Sequence, residues 1–153
     1  MIRSPAVDAP NESPYRNPAL TVDAVVVHRS ARGDFLLLVR RGCEPFAGSH
    51  ALPGGFVEYG EDPNLAVGRE VAEETGLTGL LFEQLGVFGK PGRDPRGHTV
   101  SVAYTALVSG PCPEVVGGDD AAAAVWVAVG ELPDLAFDHA DIASAGLAFL
   151  SRR

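Results

Sequence analysis

The sequence predicts an α/β fold, an α/β/α sandwich in which a mixed β-sheet lies between helices. Aliphatic and β-branched runs of strand length lie on both sides of one capped helical segment. A second, amphipathic helix ends the chain, and no internal repeat interrupts this order. With 153 residues, of which 46% are hydrophobic, the chain can form one compact domain with a buried core.

The predicted domain, residues 20–153, follows an extended N-terminal arm. Residues 1–19 contain four prolines among small and polar residues, so this stretch is not helical. Two alternatives are open for the arm: a disordered tail, or a segment that reaches a partner subunit. Beyond it, Thr21–Arg29 and Phe35–Arg41 are predicted strands, and the turn-like residues 30–34 between them indicate a hairpin.

The remaining predicted elements lie around and after the central helix. His50–Pro53 is a short extended piece, and two strands, Leu80–Gly89 and Thr99–Val108, flank a loop that contains proline and arginine. Ala124–Val129 is predicted as a further buried strand. Asp138–Arg152 is predicted as an amphipathic helix, and its inward-facing residues are Ile142, Ala145, Leu147 and Leu150.

The central helix is predicted from its two ends. Asp62 followed by Pro63 is a start signal, because aspartate accepts hydrogen bonds from exposed N–H groups and proline is tolerated in the first turn. Gly76 is the matching stop, since glycine adopts the left-handed conformation that ends helices. Val67 and Val71 share one side of this helix and are expected to pack on the domain.

A different face of the helix carries three carboxylates. Glu70, Glu73 and Glu74 stand at i, i+3 and i+4, where they repel one another unless a hard cation such as Mg²⁺, or alternatively Mn²⁺, binds their oxygens. The alternative is a solvated charged face. The preceding Gly54-Gly55 turn favours the metal site, because it would let a backbone carbonyl, that of Gly54, reach the ion.

Residues Gly55–Leu77 match the pattern G-x5-E-x7-R-E-U-x-E-E-x-G-U, where U is a bulky aliphatic residue, at all nine constrained positions. A chance match is expected with a probability on the order of 10^-8. This pattern is the Nudix box, so the chain resembles the Nudix hydrolases. The resemblance implies a Nudix-type sandwich and a metal-dependent attack of water on a diphosphate.

The resemblance also implies roles for the box residues. Arg69 is expected to orient Glu61 or Glu73 through paired hydrogen bonds of its planar guanidinium. Glu73 and Glu74 are candidate catalytic residues as well as metal ligands. The glycine carbonyl expected to bind the metal, that of Gly54, corresponds to a ligand in the family.

The stretch 90–101, KPGRDPRGHTVS, resembles the loop that follows the box in Nudix ADP-ribose pyrophosphatases, and residues 135–140, LAFDHA, resemble a later segment of the same proteins. Pro91, about fifteen residues past the box, is a mark of that subfamily. Candidate substrate-binding residues are Arg40, Glu58, Arg93, Arg96 and His98, the arginines because they offer a fork of donors to a diphosphate or ribose. The alternative is that the loop arginines hold the loop to itself through Asp94.

Several residues are candidates for the general base, the group that takes a proton from the attacking water. Many family members carry a glutamate three residues before the tryptophan of a DDAAEAxW stretch, whereas this chain has DDAAAAVW with Ala123 in that place. An alanine is neither a base nor a ligand. The candidates are Asp120, Asp119, Glu114, Glu58 and the box glutamates; for the aspartates the alternative is a plain turn.

The composition of the chain limits the classes of partner that it is expected to bind. A net charge of -8 with one lysine, Lys90, argues against a nucleic acid polymer as partner. No apolar run approaches the roughly 20 residues of a membrane helix. Cys43 and Cys112 lack a CxxC partner and are predicted as reduced, buried thiols of a cytoplasmic protein. The resemblance implies a homodimer.

The predicted function is hydrolysis of ADP-ribose to AMP and ribose 5-phosphate, within a class of nucleoside diphosphates linked to another moiety. Two alternatives are kept. One is a pyrophosphohydrolase of nucleoside triphosphates such as 8-oxo-dGTP. The other is a noncatalytic ADP-ribose sensor that regulates transcription, for which a degraded box and an attached DNA-binding domain are expected. The intact box disfavours the sensor, and Ala123 favours it.

Overall fold

A computed structural model of the chain describes residues 15–118 and 121–153, with the backbone alone for 121 and 122. Its elements in chain order are β1 (Ala19–Ser30), β2 (Gly33–Arg41), β3 (His50–Ala51), β4 (Gly54–Phe56), α1 (Pro63–Thr75), β5 (Glu83–Phe88), β6 (Thr99–Val108), β7 (Ala121–Ala128) and α2 (His139–Leu150). The α/β class with a mixed sheet is confirmed. Most of the predicted arm, residues 1–14, lies outside the described part of the chain.

The strands form one sheet around β1. Its main path runs β3-β2-β1-β6-β5, and β4 pairs with β1 while β7 pairs with β2. β1 and β2 form the predicted hairpin, with Ser30 opposite Gly33 at the turn. β1 and β6 are parallel over ten residue pairs, from Ala19 opposite Thr99 to His28 opposite Val108. The parallel pair makes the sheet mixed.

The two helices lie on opposite faces of the sheet because side chains of a strand alternate between faces. On one face, Val67 and Val71 of α1 are buried in a cluster that includes Val22 of β1. On the other face, Ile142 of α2 is buried in a cluster that includes Val25. Of the four inward-facing residues predicted for α2, Ile142 and Leu150 are buried and Ala145 and Leu147 are partly buried.

Three details differ from the sequence-based expectations. β4 was not predicted, because three residues that include two glycines carry no strand signal; it forms by pairing with β1. The prediction that the strand 124–129 is buried is wrong. The strand begins at Ala121, and its described side chains are partly buried or, as for Val125, exposed.

The predicted burial of the two thiols is also wrong. Cys43 and Cys112 are free and exposed. Both lie in loops between strands, where no apolar layer covers them. Within the described residues, no helix has the length and apolar character needed to cross a membrane.

Candidate active site

A cavity of about 500 Å³ opens between α1, the glycine turn Gly54-Gly55 at the start of β4, and the loop that precedes β6. Six of the predicted site residues lie in the box region and line it: Gly54, Glu58, Arg69, Glu70, Glu73 and Glu74. Arg40, Arg93 and Arg96 line it from other elements. The structure therefore brings nine of the residues singled out in the sequence to one cavity. His98 lies in a neighbouring cavity, and Asp120 lies outside the described residues.

Arg69 holds the carboxylates of the box region. Its Nε and Nη2 donate to the two oxygens of Glu61 at 2.6 and 2.9 Å. Its Nη1 donates to Glu70 at 2.9 Å and to Glu73 at 3.2 Å, and Nη2 also donates to the carbonyl of Phe56 at 3.2 Å. The hydrogen bond from Arg69 lowers the pKa of Glu61. One guanidinium thus orients three glutamates, including the forked pair expected for Glu61.

Glu70 and Glu74 face the glycine turn. The backbone N–H of Gly54 donates to Oε1 of Glu74 at 2.9 Å. A Cβ on Gly55 would lie 2.5 Å from the carboxyl carbon of Glu70, so glycine is needed for this close approach. Burial, together with the neighbouring Glu70 and Asp23 charges, raises the pKa of Glu74 to about 8, although the Gly54 hydrogen bond opposes this.

The donors at this turn fit a hard divalent cation. Glu70, Glu74 and the Gly54 carbonyl offer oxygen ligands, and a cation would compensate two buried carboxylates. Burial raises the pKa of Glu70 as well, even beside Arg69. Within the described residues no three acidic, histidine or cysteine side chains converge as a metal cluster. Glu70 and Glu73 each accept a hydrogen bond from Arg69, and the side chain of Glu73 is 43% exposed.

A buried polar cluster behind the turn was missed in the sequence. Asp23 of β1 accepts a hydrogen bond from Ser101 at 2.6 Å, and its other oxygen lies 3.4 Å from Nε2 of His139. Nδ1 of His139 accepts from the backbone N–H of Leu52 at 3.0 Å. Burial raises the pKa of Asp23 and lowers that of His139. The sequence feature that could have indicated this cluster is Asp23 itself, an aspartate inside the otherwise apolar run of β1.

The two loop arginines have different partners. Arg93, whose side chain is 5% exposed, donates to both oxygens of Asp138 at 3.0 and 2.7 Å. Arg96 donates to both oxygens of Asp94 at 3.1 and 2.9 Å. The pairing considered as an alternative, a loop held to itself through Asp94, is therefore present for Arg96. Arg93 instead links the loop to the start of α2.

Aromatic rings surround the exposed guanidinium of Arg96. Its carbon atom Cζ lies 5.1 Å from the ring centroid of Phe56 and 5.6 Å from that of Phe137. Arg41 lies over Phe137 at 4.9 Å, and Phe46 meets the same ring edge-on at 4.8 Å. Arg96 is therefore held at the cavity mouth by stacking as well as by its ion pair.

The other predicted residues lie at the rim. Arg40 is exposed and its Nε donates to the carbonyl of Gly48 at 3.1 Å. Glu58 is exposed, and its backbone N–H donates to Glu61 at 3.0 Å. Ala123 of β7 is exposed and lies opposite Arg40 in the strand register.

A carboxylate-bearing helix behind a glycine turn, set on a mixed sheet between two helices, defines a hydrolase site of the Nudix type. The NUDIX domain family pattern matches residues 18–145, and the chain belongs to this family of hydrolases. Nudix enzymes generally use divalent metal ions and act on small nucleotide substrates.

Among its relatives, the chain is similar to an ADP-ribose pyrophosphatase of Methanocaldococcus jannaschii, with 44% identity over 84% of this chain and 72% of that protein. It is 32% identical to the ADPR-responsive transcriptional repressor NtrR of Acinetobacter baylyi, over 93% of this chain and 58% of the repressor. In three dimensions it resembles the NUDIX domain of Shewanella oneidensis NrtR, solved with ADP ribose. That comparison has a TM-score of 0.80 and 33% identity, and it covers 97% of this chain and 99% of that one.

Proposed function

We propose that this Nudix hydrolase cleaves ADP-ribose to AMP and ribose 5-phosphate, with Mg²⁺ as its metal and Mn²⁺ as an alternative. One observation carries the proposal: Glu70, Glu73 and Glu74 line the same cavity as the arginines of the post-box loop, and Arg69 orients the first two of these glutamates. The similarity to an ADP-ribose pyrophosphatase over most of the chain supports this substrate.

In this mechanism Glu70, Glu73, Glu74 and the Gly54 carbonyl would hold the divalent ion, which would supply charge neutralisation for the diphosphate when bound. Arg69 keeps Glu73 and Glu70 in place. Water attacks one phosphorus, the bridging P–O bond breaks, and the leaving phosphate takes the electron pair.

The base that removes the proton from the attacking water is proposed to be Asp120. Support comes from its described neighbours in the chain. A Cβ on Gly118 would collide with the carbonyl of Glu73, so the chain touches the end of the carboxylate helix there. Ala121 lies opposite Arg41, which lines the cavity. The two described residues that flank this part of the sequence, Gly118 and Ala121, therefore lie beside the site.

A second candidate function is a noncatalytic sensor of ADP-ribose. Ala123, which stands where relatives carry a glutamate, favours it, as does the similarity to a repressor described as ADPR-responsive. In that case the cavity would bind ADP-ribose without cleaving it. The ordered Arg69 network favours the enzyme, because a sensor does not need oriented metal ligands.

Turnover of a substrate panel tests the proposal. ADP-ribose and 8-oxo-dGTP are supplied with Mg²⁺ and with Mn²⁺, and release of AMP or of the nucleoside monophosphate is measured. Rapid ADP-ribose cleavage by the wild type, lost in Glu74→Gln and kept in the surface control Glu83→Gln, is the expected result. ADP-ribose binding without cleavage would establish the sensor instead. A preference for 8-oxo-dGTP would move the protein to the triphosphate class, and inertness toward both would refute the function.

We further propose that the protein acts as a homodimer in the cytoplasm, with residues 1–19 as an arm ahead of the domain 20–153. The net charge of -8 supports a small nucleotide partner over a nucleic acid polymer or an anionic membrane surface. Light scattering of the purified chain, with and without residues 1–19, measures the dimer and the contribution of the arm. A monomeric mass at micromolar concentration would contradict the dimer.

A further inference from the structure

A second cavity of about 510 Å³ adjoins the first. It lies between the stretch that enters β1 and the end of the loop before β6. Phe56, Arg96 and Thr99 line both cavities, so they form the boundary between them. Arg16 and Asn17 line the second cavity but not the first.

Strand pairing holds this cavity in shape. The backbone N–H of Ala19 donates to the carbonyl of His98 at 3.1 Å. From there β1 and β6 run in parallel, starting with Ala19 opposite Thr99. Asn17 and Gly97, each two residues before the start of its strand, both line the cavity. The cavity is a consequence of the sheet and exists before any ligand binds.

The lining of the second cavity is rich in hydrogen-bond donors. Within the described residues, the exposed guanidinium of Arg16 and the exposed side-chain amide of Asn17 have no hydrogen-bond partner. Arg96 uses Nε and Nη2 for Asp94, which leaves Nη1 available on the cavity boundary. His98 adds a ring whose Nε2 lies 2.9 Å from the Gly89 carbonyl, which leaves Nδ1 as an acceptor. Because Arg96 is paired with Asp94, Arg16 is the arginine of this cavity whose charge no carboxylate of the described residues compensates.

Such a lining suits a group with many oxygen atoms. Phosphate oxygens and sugar hydroxyls accept hydrogen bonds from arginine and asparagine, and a charged acceptor strengthens those bonds. A purine instead favours a flat aromatic surface. Rings of that kind cluster at the other side of Arg96, where Phe137 is flanked by Phe46 and Arg41.

We propose that the second cavity binds the sugar-phosphate half of the substrate, a phosphorylated sugar of the size of ribose 5-phosphate, through Arg16, Asn17 and Arg96. The inference rests on the proposed function, in which a diphosphate at the box glutamates joins a nucleoside to a sugar. The diphosphate lies in the first cavity, and the sugar half passes the Phe56–Arg96 boundary. The nucleoside stays on the side of Phe137.

Product binding tests this placement. Dissociation constants of ribose 5-phosphate, AMP and inorganic phosphate are measured by calorimetry for the wild type, Arg16→Ala and Asn17→Ala. Loss of a charge-assisted hydrogen bond in Arg16→Ala weakens ribose 5-phosphate binding about tenfold and leaves AMP binding unchanged. Asn17→Ala has a smaller effect in the same direction. The matched control is Arg32→Ala, an exposed arginine in the β1–β2 turn, which changes neither constant.

Three outcomes would overturn the placement. Unchanged ribose 5-phosphate binding in Arg16→Ala would show that the second cavity is not part of the substrate-binding site. Weakened AMP binding instead would place the nucleoside half there. Inorganic phosphate that binds the wild type as tightly as ribose 5-phosphate would show that no sugar is recognised. Because binding and turnover are measured separately, a wild type that binds ribose 5-phosphate but cleaves no ADP-ribose would refute the proposed function and leave the cavity assignment standing.

Discussion

The Nδ1 atom of His139 accepts a hydrogen bond from the backbone N–H of Leu52 at 3.0 Å, across 87 residues of sequence. Since Nδ1 is the acceptor, the neutral imidazole carries its proton on Nε2, which lies 3.4 Å from Asp23. Leu52 stands two residues before Gly54, whose carbonyl is the proposed metal ligand. His139, the first residue of α2, thereby fixes the backbone that leads into the Gly54-Gly55 turn.

Replacement of His139 by alanine is expected to lower the free energy of unfolding by about 1–3 kcal/mol, because the buried N–H of Leu52 loses its acceptor. Urea denaturation at neutral pH measures the loss. His139→Asn is the matched control, since its amide oxygen can occupy the place of Nδ1 and accept the same hydrogen bond. It is expected to recover part of the stability; equal stability of the alanine variant and the wild type would contradict the role of this hydrogen bond.

Arg69→Lys is expected to lower turnover about 10- to 100-fold, as is usual when a partner that orients metal ligands is lost. Lysine cannot reproduce the fork that holds Glu61 and also reaches Glu70. Steady-state kinetics over a range of Mg²⁺ concentrations measures the effect. Arg29→Lys is the control, because Arg29 forms a similar fork to Asp34 outside the cavity. Equal losses in the two variants would mean that the role of Arg69 is general to the fold.

Gly55→Ala is expected to raise the Mg²⁺ concentration needed for half-maximal activity by about tenfold or more. The new methyl group would lie 2.5 Å from the carboxyl of Glu70 and would push it out of place. Gly86→Ala is the matched change, since nothing lies within 4 Å of a Cβ there. Wild-type metal activation in Gly55→Ala would show that Glu70 does not need its present position.

The buried Glu74 carboxyl is expected to cost the metal-free protein stability as the pH rises from about 5 to about 8. The pKa of Glu74 is raised to about 8 in the folded state, from 4.5. Folding therefore favours the protonated carboxyl, and the stability that this provides is lost as the pH rises through about 8. The raised pKa values of Asp23 and Glu70 add to this loss, whereas the lowered pKa of His139 opposes it up to about pH 7, because the unfolded imidazole still binds protons there. The slope that belongs to Glu74 is therefore the difference between the wild type and Glu74→Gln.

Melting temperatures in EDTA and in Mg²⁺ measure this dependence. Glu74→Gln is expected to flatten it, and Mg²⁺ is expected to stabilise the wild type more at about pH 9 than at about pH 7, because the cation favours the ionised carboxylate. Glu83→Gln, a change of an exposed glutamate on β5, leaves the slope as it is. An unchanged slope in Glu74→Gln would assign the pH dependence to another group.

Asp120→Asn is expected to lower turnover about 10²- to 10⁴-fold, the usual contribution of a general base. The pH–rate profile should lose its acidic limb at the same time. Asp134→Asn, at an exposed aspartate outside the cavity, is the control. If Asp120→Asn keeps full activity while Glu58→Gln or a box variant loses it, the base lies on the box side of the cavity.

The sequence by itself predicted the parts that depend on neighbouring residues. The side chain of Asp62 accepts from the N–H of Asn64 at 2.9 Å, and Gly76 ends α1 with a φ of 81°, as the two end signals indicate. Glu70 and Glu73 share a helix face because of helical periodicity alone. These features need no information from elsewhere in the chain.

The tertiary structure decided which distant groups meet. The alternative considered for Arg93 was a pairing within its own loop with Asp94, yet Arg93 pairs with Asp138, 45 residues away. Strand β4 forms only where β1 offers it a partner. Asp23 and His139 meet because β1 and α2 pack face to face. Helix caps and helical periodicity depend on the interactions of a few neighbouring residues. The long-range contacts depend instead on how whole helices and strands pack to bury their apolar faces, which no short stretch of sequence specifies.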